Sequence, residues 1–168
     1  MNRSAFFRKL SELLGISIAV PMLLETCDNE MTPAEPLSEA EVLYNQLKDQ
    51  TAESGFFLDG KQLYVDITHK NYASLLEVGS FVNDVDNYVL LLRKTEEQFS
   101  AFNNCCPHLG TSNKWSYSNG KFTCGNHGNS YGTGTGPVAN CSSNRSSGNL
   151  KSYITEINQD ILTVNFDS

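Results

Sequence analysis

The sequence predicts an all-β domain with two ligand-bearing loops, preceded by a short helix and an N-terminal segment that stands apart from the fold. Three observations carry this. Apolar residues alternate with period two beyond Gly55, a hairpin pattern closes the chain, and a Gly-, Ser- and Asn-rich stretch between Asn103 and Asn149 holds two Cys/His pairs.

Taken in order, residues 1–26 read as an export signal. Arg3, Arg8 and Lys9 give a basic start, and the apolar run from Leu13 to Leu24 is only 12 residues long and contains Gly15 and Pro21. A bilayer-spanning helix needs about 20 apolar residues, so a signal peptide is expected rather than an uncleaved anchor. Cys27 follows, and the acidic, Pro-bearing stretch 28–36 reads as a tether, so that 27–54 is expected to be tether plus short helix. Leu24-Glu25-Thr26-Cys27 resembles a bacterial lipoprotein cleavage box, with Glu25 and Thr26 departing from its small residues. That resemblance implies lipidation of Cys27, the alternative being plain secretion with an incidental cysteine. Arg3-Ser4-Ala5-Phe6-Phe7-Arg8 resembles a twin-arginine export signal with Ser4 in place of the second arginine.

Ser38-Glu39-Ala40-Glu41 is a capping-box start, and Val42, Leu43 and Leu47 give the following helix a thin apolar face. The body, 55–168, is read as strands. Leu63, Val65 and Ile67 alternate with Tyr64, Asp66 and Thr68; Val89 to Leu92 form a denser run; Phe99 and Phe102 follow a turn at Glu96-Glu97. Tyr153 to Ile157 and Ile161 to Val164 flank Asn158-Gln159-Asp160 as a hairpin. Between Asn103 and Asn149 apolar periodicity is weak, and so long a loop-like stretch is expected to be held by something other than a core.

The 168 residues, with 39% hydrophobic and 18% charged, suit one compact domain plus a short extra segment. A net charge of −7 argues against a nucleic-acid binder, which needs a basic stripe. Five cysteines are too few for a disulfide scaffold of this length. The charge is divided unevenly: residues 28–97 carry 14 acidic and 5 basic side chains, whereas 98–155 contain no Asp or Glu and four basic residues, Lys114, Lys121, Arg145 and Lys151.

The acid-free segment holds Cys106-Pro107-His108-Leu109-Gly110 and Cys124-Gly125-Asn126-His127-Gly128, with 15 residues between His108 and Cys124. In an extended loop, residues i and i+2 project to one side, so Cys106 and His108 face one centre, with Pro107 biasing Cys106 towards extended backbone. The i, i+3 spacing across a tight turn does the same for Cys124 and His127, and Gly125 and Gly128 are expected to bring backbone N–H groups close to the centre. Two metals satisfy two thiolates and two imidazoles: one tetrahedral Zn²⁺ taking all four, or a [2Fe–2S] cluster with cysteines on one iron and histidines on the other. Zinc sites are commonly built from pairs of like ligands. Here each loop offers one of each, as a two-iron rhomb gripped by both loops requires.

Cys-x-His, a spacer and Cys-x-x-His resemble the Rieske iron–sulfur family, over roughly residues 60 to 166. Val78-Gly79-Ser80, Val89 to Arg93 and Phe99-Ser100-Ala101 look like the strands leading into the first loop, and Gly136-Pro137 like the proline loop covering the cluster from a third side. The resemblance implies an antiparallel β-sandwich with an inserted cluster-binding subdomain, its loops at about 103–140. It also implies that Cys106 and Cys124 bind the inner iron while His108 and His127 bind the outer one. The quinol-oxidising branch has a bracing cysteine in each loop, where this chain has Thr111 and Asn126. That branch has Ser two residues and Tyr four residues after the second histidine. Asn129 and Tyr131 stand here, so the serine's hydrogen bond is lost and the tyrosine's remains available. Cys105 and Cys141 are left over; they are either a substitute disulfide or two free thiols, since sequence gives no distance. His69 reads as a surface residue and Trp115 as loop packing.

Two ferric ions, two sulfides, two thiolates and two neutral imidazoles sum to zero charge, so an electron is accepted more readily than in an all-cysteine cluster. The acid-free surroundings push the same way, and imidazole ligands allow proton uptake on reduction. With neither the serine nor the brace, a potential below that of the quinol-oxidising branch is expected. The expected function is electron transfer between a redox donor and acceptor, at the outer face of a membrane and through a lipid-tethered protein. The alternatives are a ferredoxin-type oxygenase component, which the export signal opposes, and a zinc-stabilised binding module without redox activity. No nucleophile–base pair stands out, and the glycines of 132–136 lack a following Lys-Ser/Thr, so hydrolase and kinase readings have no support.

Overall fold

A computed structural model describes residues 36–167. The predicted signal at 1–26, Cys27 and all but the last residue of the tether lie outside the described residues. Among those described, no helix is long and apolar enough to cross a membrane.

Helix α1 (Glu39–Thr51) belongs to the compact unit Leu37–Ser168. The capping box forms as predicted: Glu41 N–H donates to the Ser38 hydroxyl, and Ser38 N–H donates to the Glu41 carboxylate at 2.8 Å. The inward face differs from the expected one. Val42 is 51% exposed, and the sheltered positions are Leu43, Tyr44, Leu47, Lys48 and Thr51. The helix is anchored to the sheet through polar groups as well as apolar ones. Tyr44 donates to Asp160 at 2.7 Å, and the Lys48 ammonium reaches Asp66 at 2.5 Å and Asp160 at 2.9 Å.

Ten strands follow: β1 (Phe56–Asp59), β2 (Gln62–Asp66), β3 (Phe81–Asp84), β4 (Val89–Arg93), β5 (Phe99–Asn103), β6 (Trp115–Ser118), β7 (Lys121–Cys124), β8 (Ser130–Gly132), β9 (Ser152–Asn158) and β10 (Ile161–Asn165). Seven form one antiparallel sheet in the order β1-β2-β10-β9-β5-β4-β3. The long strand β9 joins its halves, pairing with β10 through Ile154 to Asn158 and with β5 through Ser152 and Tyr153. The halves pack on each other as a sandwich: Leu63 and Val65 of β2 and Leu162 and Val164 of β10 share a core with Val89 and Leu91 of β4 and Phe99 and Ala101 of β5. The predicted terminal hairpin is present, with Ile161 opposite Asn158 and a two-residue turn in which Gln159 takes φ 54.

Two corrections concern the centre of the chain. Val78-Gly79-Ser80 is a turn rather than a strand: Gly79 has φ 87 and donates its N–H to the Arg93 carbonyl, and β3 starts only at Phe81. The stretch after Asn103 is not coreless either. It carries a second sheet, β6-β7-β8, and a second apolar cluster of Phe122, Tyr131, Ala139, Leu150, Cys106 and Cys124, with Trp115 and Tyr117 packed against it. That cluster is completed by Leu90, Leu92 and Phe102 from the large sheet. Strand β4 is thus buried on both faces, Val89 and Leu91 into the sandwich and Leu90 and Leu92 under the insertion, which accounts for its unbroken apolar run.

Candidate metal centre

The two predicted loops fold as near-repeats. In the first, Cys106 N–H donates to the Thr111 carbonyl (2.8 Å) and Gly110 N–H returns to the Cys106 carbonyl (2.8 Å). In the second, Cys124 N–H donates to the Asn129 carbonyl (2.9 Å) and Gly128 N–H to the Cys124 carbonyl (2.9 Å). Gly110 and Gly128 occupy equivalent left-handed positions, φ 76 and 72, where a side chain would be strained. Strand β7 delivers Cys124 directly, and β6 pairs Trp115 with it. The first finger is positioned by Asn104, wholly buried just after β5, whose side-chain NH2 donates to the Asn83 side chain and the Asp84 carbonyl while its main-chain carbonyl accepts the Trp115 indole N–H at 2.8 Å. Trp115 is therefore packing, as expected, but from a strand rather than a loop.

The four predicted ligands separate by depth. Cys106 and Cys124 are each 1% exposed, within hydrogen-bonding contact of each other. His108 is half-buried and His127 exposed, their rings 4.8 Å apart and nearly perpendicular. Burial pushes the Cys124 thiol up, N–H groups of Asn126 and His127 pull it back, and the neighbouring Cys106 adds to the rise. The N–H donors to this sulfur are thus not the glycines. Gly125 N–H is held by the Lys114 carbonyl at 2.8 Å and Gly128 N–H by the Cys124 carbonyl, and the N–H groups that approach the sulfur are those of Asn126 and His127 between them.

Around the ligands, the Tyr131 hydroxyl lies 3.8 Å from Cys106 Sγ and donates to the Arg145 carbonyl at 2.7 Å. Burial first, then the adjacent sulfur, raise its pKa, so it remains a protonated donor. Ser130 is paired with Thr123 at 2.8 Å and does not stand in for the serine missing at Asn129. Gly136-Pro137 is tied to Asn149, whose N–H donates to the Pro137 carbonyl at 3.0 Å. Cys105 and Cys141 form a disulfide. Thr111 and Asn126 hydrogen-bond to each other. Sequence reasoning missed the segment 142–145, which lies along the first finger; its Ser and Asn composition gave no signal.

The donors suit an iron–sulfur group. His108 Nδ1 is a buried nitrogen without a hydrogen-bond partner, the condition of a ligand atom awaiting its metal. The four candidate donors pair two and two, sulfur inside and nitrogen outside. That arrangement matches a two-iron cluster better than a tetrahedral zinc.

The family model for the Rieske [2Fe–2S] domain matches residues 64–154, more than half of the chain. This protein therefore belongs to the Rieske [2Fe–2S] family, binds a [2Fe–2S] cluster and exchanges electrons with redox partners. No curated protein shows significant similarity to it.

Proposed function

We propose that this protein is an exported electron carrier, tethered through a lipid on Cys27, that docks redox partners on the tip bearing His108 and His127. Cys106, His108, Cys124 and His127 are the ligands in this reading. When bound, the cluster supplies a one-electron couple whose mixed ligation places its potential above that of all-cysteine ferredoxins. The observation that carries the proposal is the burial gradient across the ligands, from two closed-off cysteines to an exposed His127. Leu90, Leu92, Phe102 and Phe122 exclude water from the sulfur side, so electrons enter and leave on the imidazole side.

The rim of that side is basic. The Lys114 main-chain carbonyl accepts the Gly125 N–H and the Arg145 main-chain N–H donates to the Pro107 carbonyl, so an exposed basic residue stands beside each finger, in a segment without a carboxylate. The partner is accordingly an acidic or neutral redox protein at the outer face of a membrane. The test begins with iron, acid-labile sulfide and paramagnetic resonance of the dithionite-reduced protein. Electron exchange with an acidic and a basic cytochrome is then timed as salt rises. Exchange with the acidic partner should be faster and slow with salt. One zinc per chain without sulfide, or a preference for the basic partner, would overturn the reading.

The oxygenase-ferredoxin alternative is favoured by one observation, the absence of bracing cysteines at Thr111 and Asn126. Fractionation of cells separates the two: membrane-associated protein, sensitive to Cys27→Ser, supports the carrier, and a cytoplasmic pool supports the ferredoxin.

A further inference from the structure

A third element grips the centre beside the two fingers. Cys105, the residue before the first ligand, is bonded to Cys141, with 5.3 Å between their Cα atoms. The four residues that follow Cys141 then run along the first finger. Ser142 N–H donates to the Cys106 carbonyl (3.3 Å), Ser143 and Arg145 to that of Pro107 (2.8 and 3.3 Å), and Asn144 to that of His108 (3.1 Å). The far end is fixed by Tyr131, which donates to the Arg145 carbonyl. The backbone contacts of the segment are all with the first finger, and its far end is held by Tyr131 on β8, the strand that leaves the second finger.

The conformation of this segment costs free energy by itself. Ser142 and Asn144 sit at φ 53 and 57, left-handed positions that disfavour side chains, in a stretch otherwise exposed to water. Such a backbone persists only where its surroundings over-determine it. Here the disulfide at one end and Tyr131 at the other do so. The disulfide itself borders a cleft of about 300 Å³ lined by Asn103, Ala139, Asn140, Leu150 and Lys151, with Cys141 exposed and Cys105 half-buried.

We infer that Cys141 to Arg145 is a positioning strap that orients the His108 finger directly, and that the Cys105–Cys141 bond is its reducible lock, open to a dithiol through the cleft. In unlocking, a thiolate of the dithiol attacks one cysteine sulfur and the second thiol completes the exchange. The reductant leaves as its own disulfide, and Cys105 and Cys141 are left as thiols, two electrons and two protons richer. The inference rests on His108 being a ligand.

The test uses the cluster-loaded full-length protein, the variant with Cys105→Ser and Cys141→Ser, and wild type treated with dithiothreitol and alkylated. Pulsed paramagnetic resonance of the reduced ¹⁵N-histidine-labelled cluster reads the two histidine nitrogens separately. With the strap released, one nitrogen coupling should change more than the other, the potential should shift, and iron should pass to a chelator about 10- to 100-fold faster. Should the serine variant fail to fold, the reduced and alkylated protein gives the same comparison. Equal change at both nitrogens, no change at either, or failure of dithiothreitol to free two thiols from the folded protein would overturn the strap. Absence of two histidine nitrogens in untreated wild type would instead overturn the ligand assignment beneath it.

Discussion

The Asn126 side-chain amide donates to the Thr111 hydroxyl across 2.6 Å, joining the second finger to the end of the first. These are the two positions at which the quinol-oxidising branch of the family carries its bracing cysteines. The brace is therefore present as a hydrogen bond, weaker and reversible, while the covalent bond has moved to Cys105 and Cys141.

Breaking that pair should loosen the cluster without unfolding the domain. Asn126 and Thr111 lie near the surface, so the bond is worth about 0.5–1 kcal/mol, and Asn126→Ala or Thr111→Val should speed iron loss to a chelator about 2- to 5-fold. The double variant should behave like either single one, because both remove the same contact. Additive effects in that cycle would show that the two residues act separately.

The one proton of the Tyr131 hydroxyl goes to the Arg145 carbonyl in this structure, and with Cys106 a ligating thiolate it is expected to turn to that sulfur, 3.8 Å away. A hydrogen bond to a sulfur ligand favours the more electron-rich, reduced form, so Tyr131→Phe should lower the potential by roughly 20–60 mV, one hydrogen bond's worth for a one-electron couple. Asn129→Ser, which restores the residue of the quinol-oxidising branch, should raise it by a similar amount. Protein-film voltammetry on the three proteins tests the order Phe variant, wild type, Ser variant. It also tests whether wild type lies below that branch.

What could be read from the chain beforehand had a reason, and so did what could not. Strands β2, β4, β5 and the β9–β10 hairpin announce themselves because one face of each is largely apolar, and Ser38 and Glu41 announce the helix because their reciprocal bonds are local. Strands β6 to β8 escaped because Trp115, Tyr117, Phe122 and Tyr131 alternate with Ser, Thr, Asn and Gly. Their core is closed by Leu90, Leu92 and Phe102, remote in sequence. The grouping of Cys106, His108, Cys124 and His127 as candidate ligands was legible from spacing. The Thr111–Asn126 bond, the Cys105–Cys141 pairing and the 142–145 strap depend on distances that no spacing encodes.

The anchor of α1 should make stability fall in acid. Burial pushes the Asp66 carboxyl up, but hydrogen bonds from Lys48 and Thr68 outweigh this and hold it below its ordinary 3.8. A carboxylate held down on folding adds stability that is complete above its unfolded pKa and is lost as pH falls through the folded value. Asp66→Asn should therefore lower Tm by about 3–8 °C at neutral pH, and the gap should close below about pH 4. A gap that persists unchanged to pH 2, followed by thermal melts of the apoprotein, would remove this ion pair from the account.

Charge at the outer iron is the last lever. His127 is the exposed one of the four proposed ligands, so its replacement disturbs packing least. His127→Cys exchanges a neutral donor for a thiolate and adds one negative charge to the oxidised centre, which opposes the incoming electron. Iron should be retained, and the potential should fall by on the order of 100 mV or more, towards the all-cysteine clusters. Cys124→Ser tests the opposite end of the gradient: it alters a ligand sealed under Phe122 and Tyr131, where no water can substitute, and it should cost the cluster itself. Iron analysis and voltammetry on the pair distinguish a ligand that sets the potential from one that holds the metal. A Cys124→Ser protein that kept its full iron would mean that the sulfur side is less closed than its burial indicates.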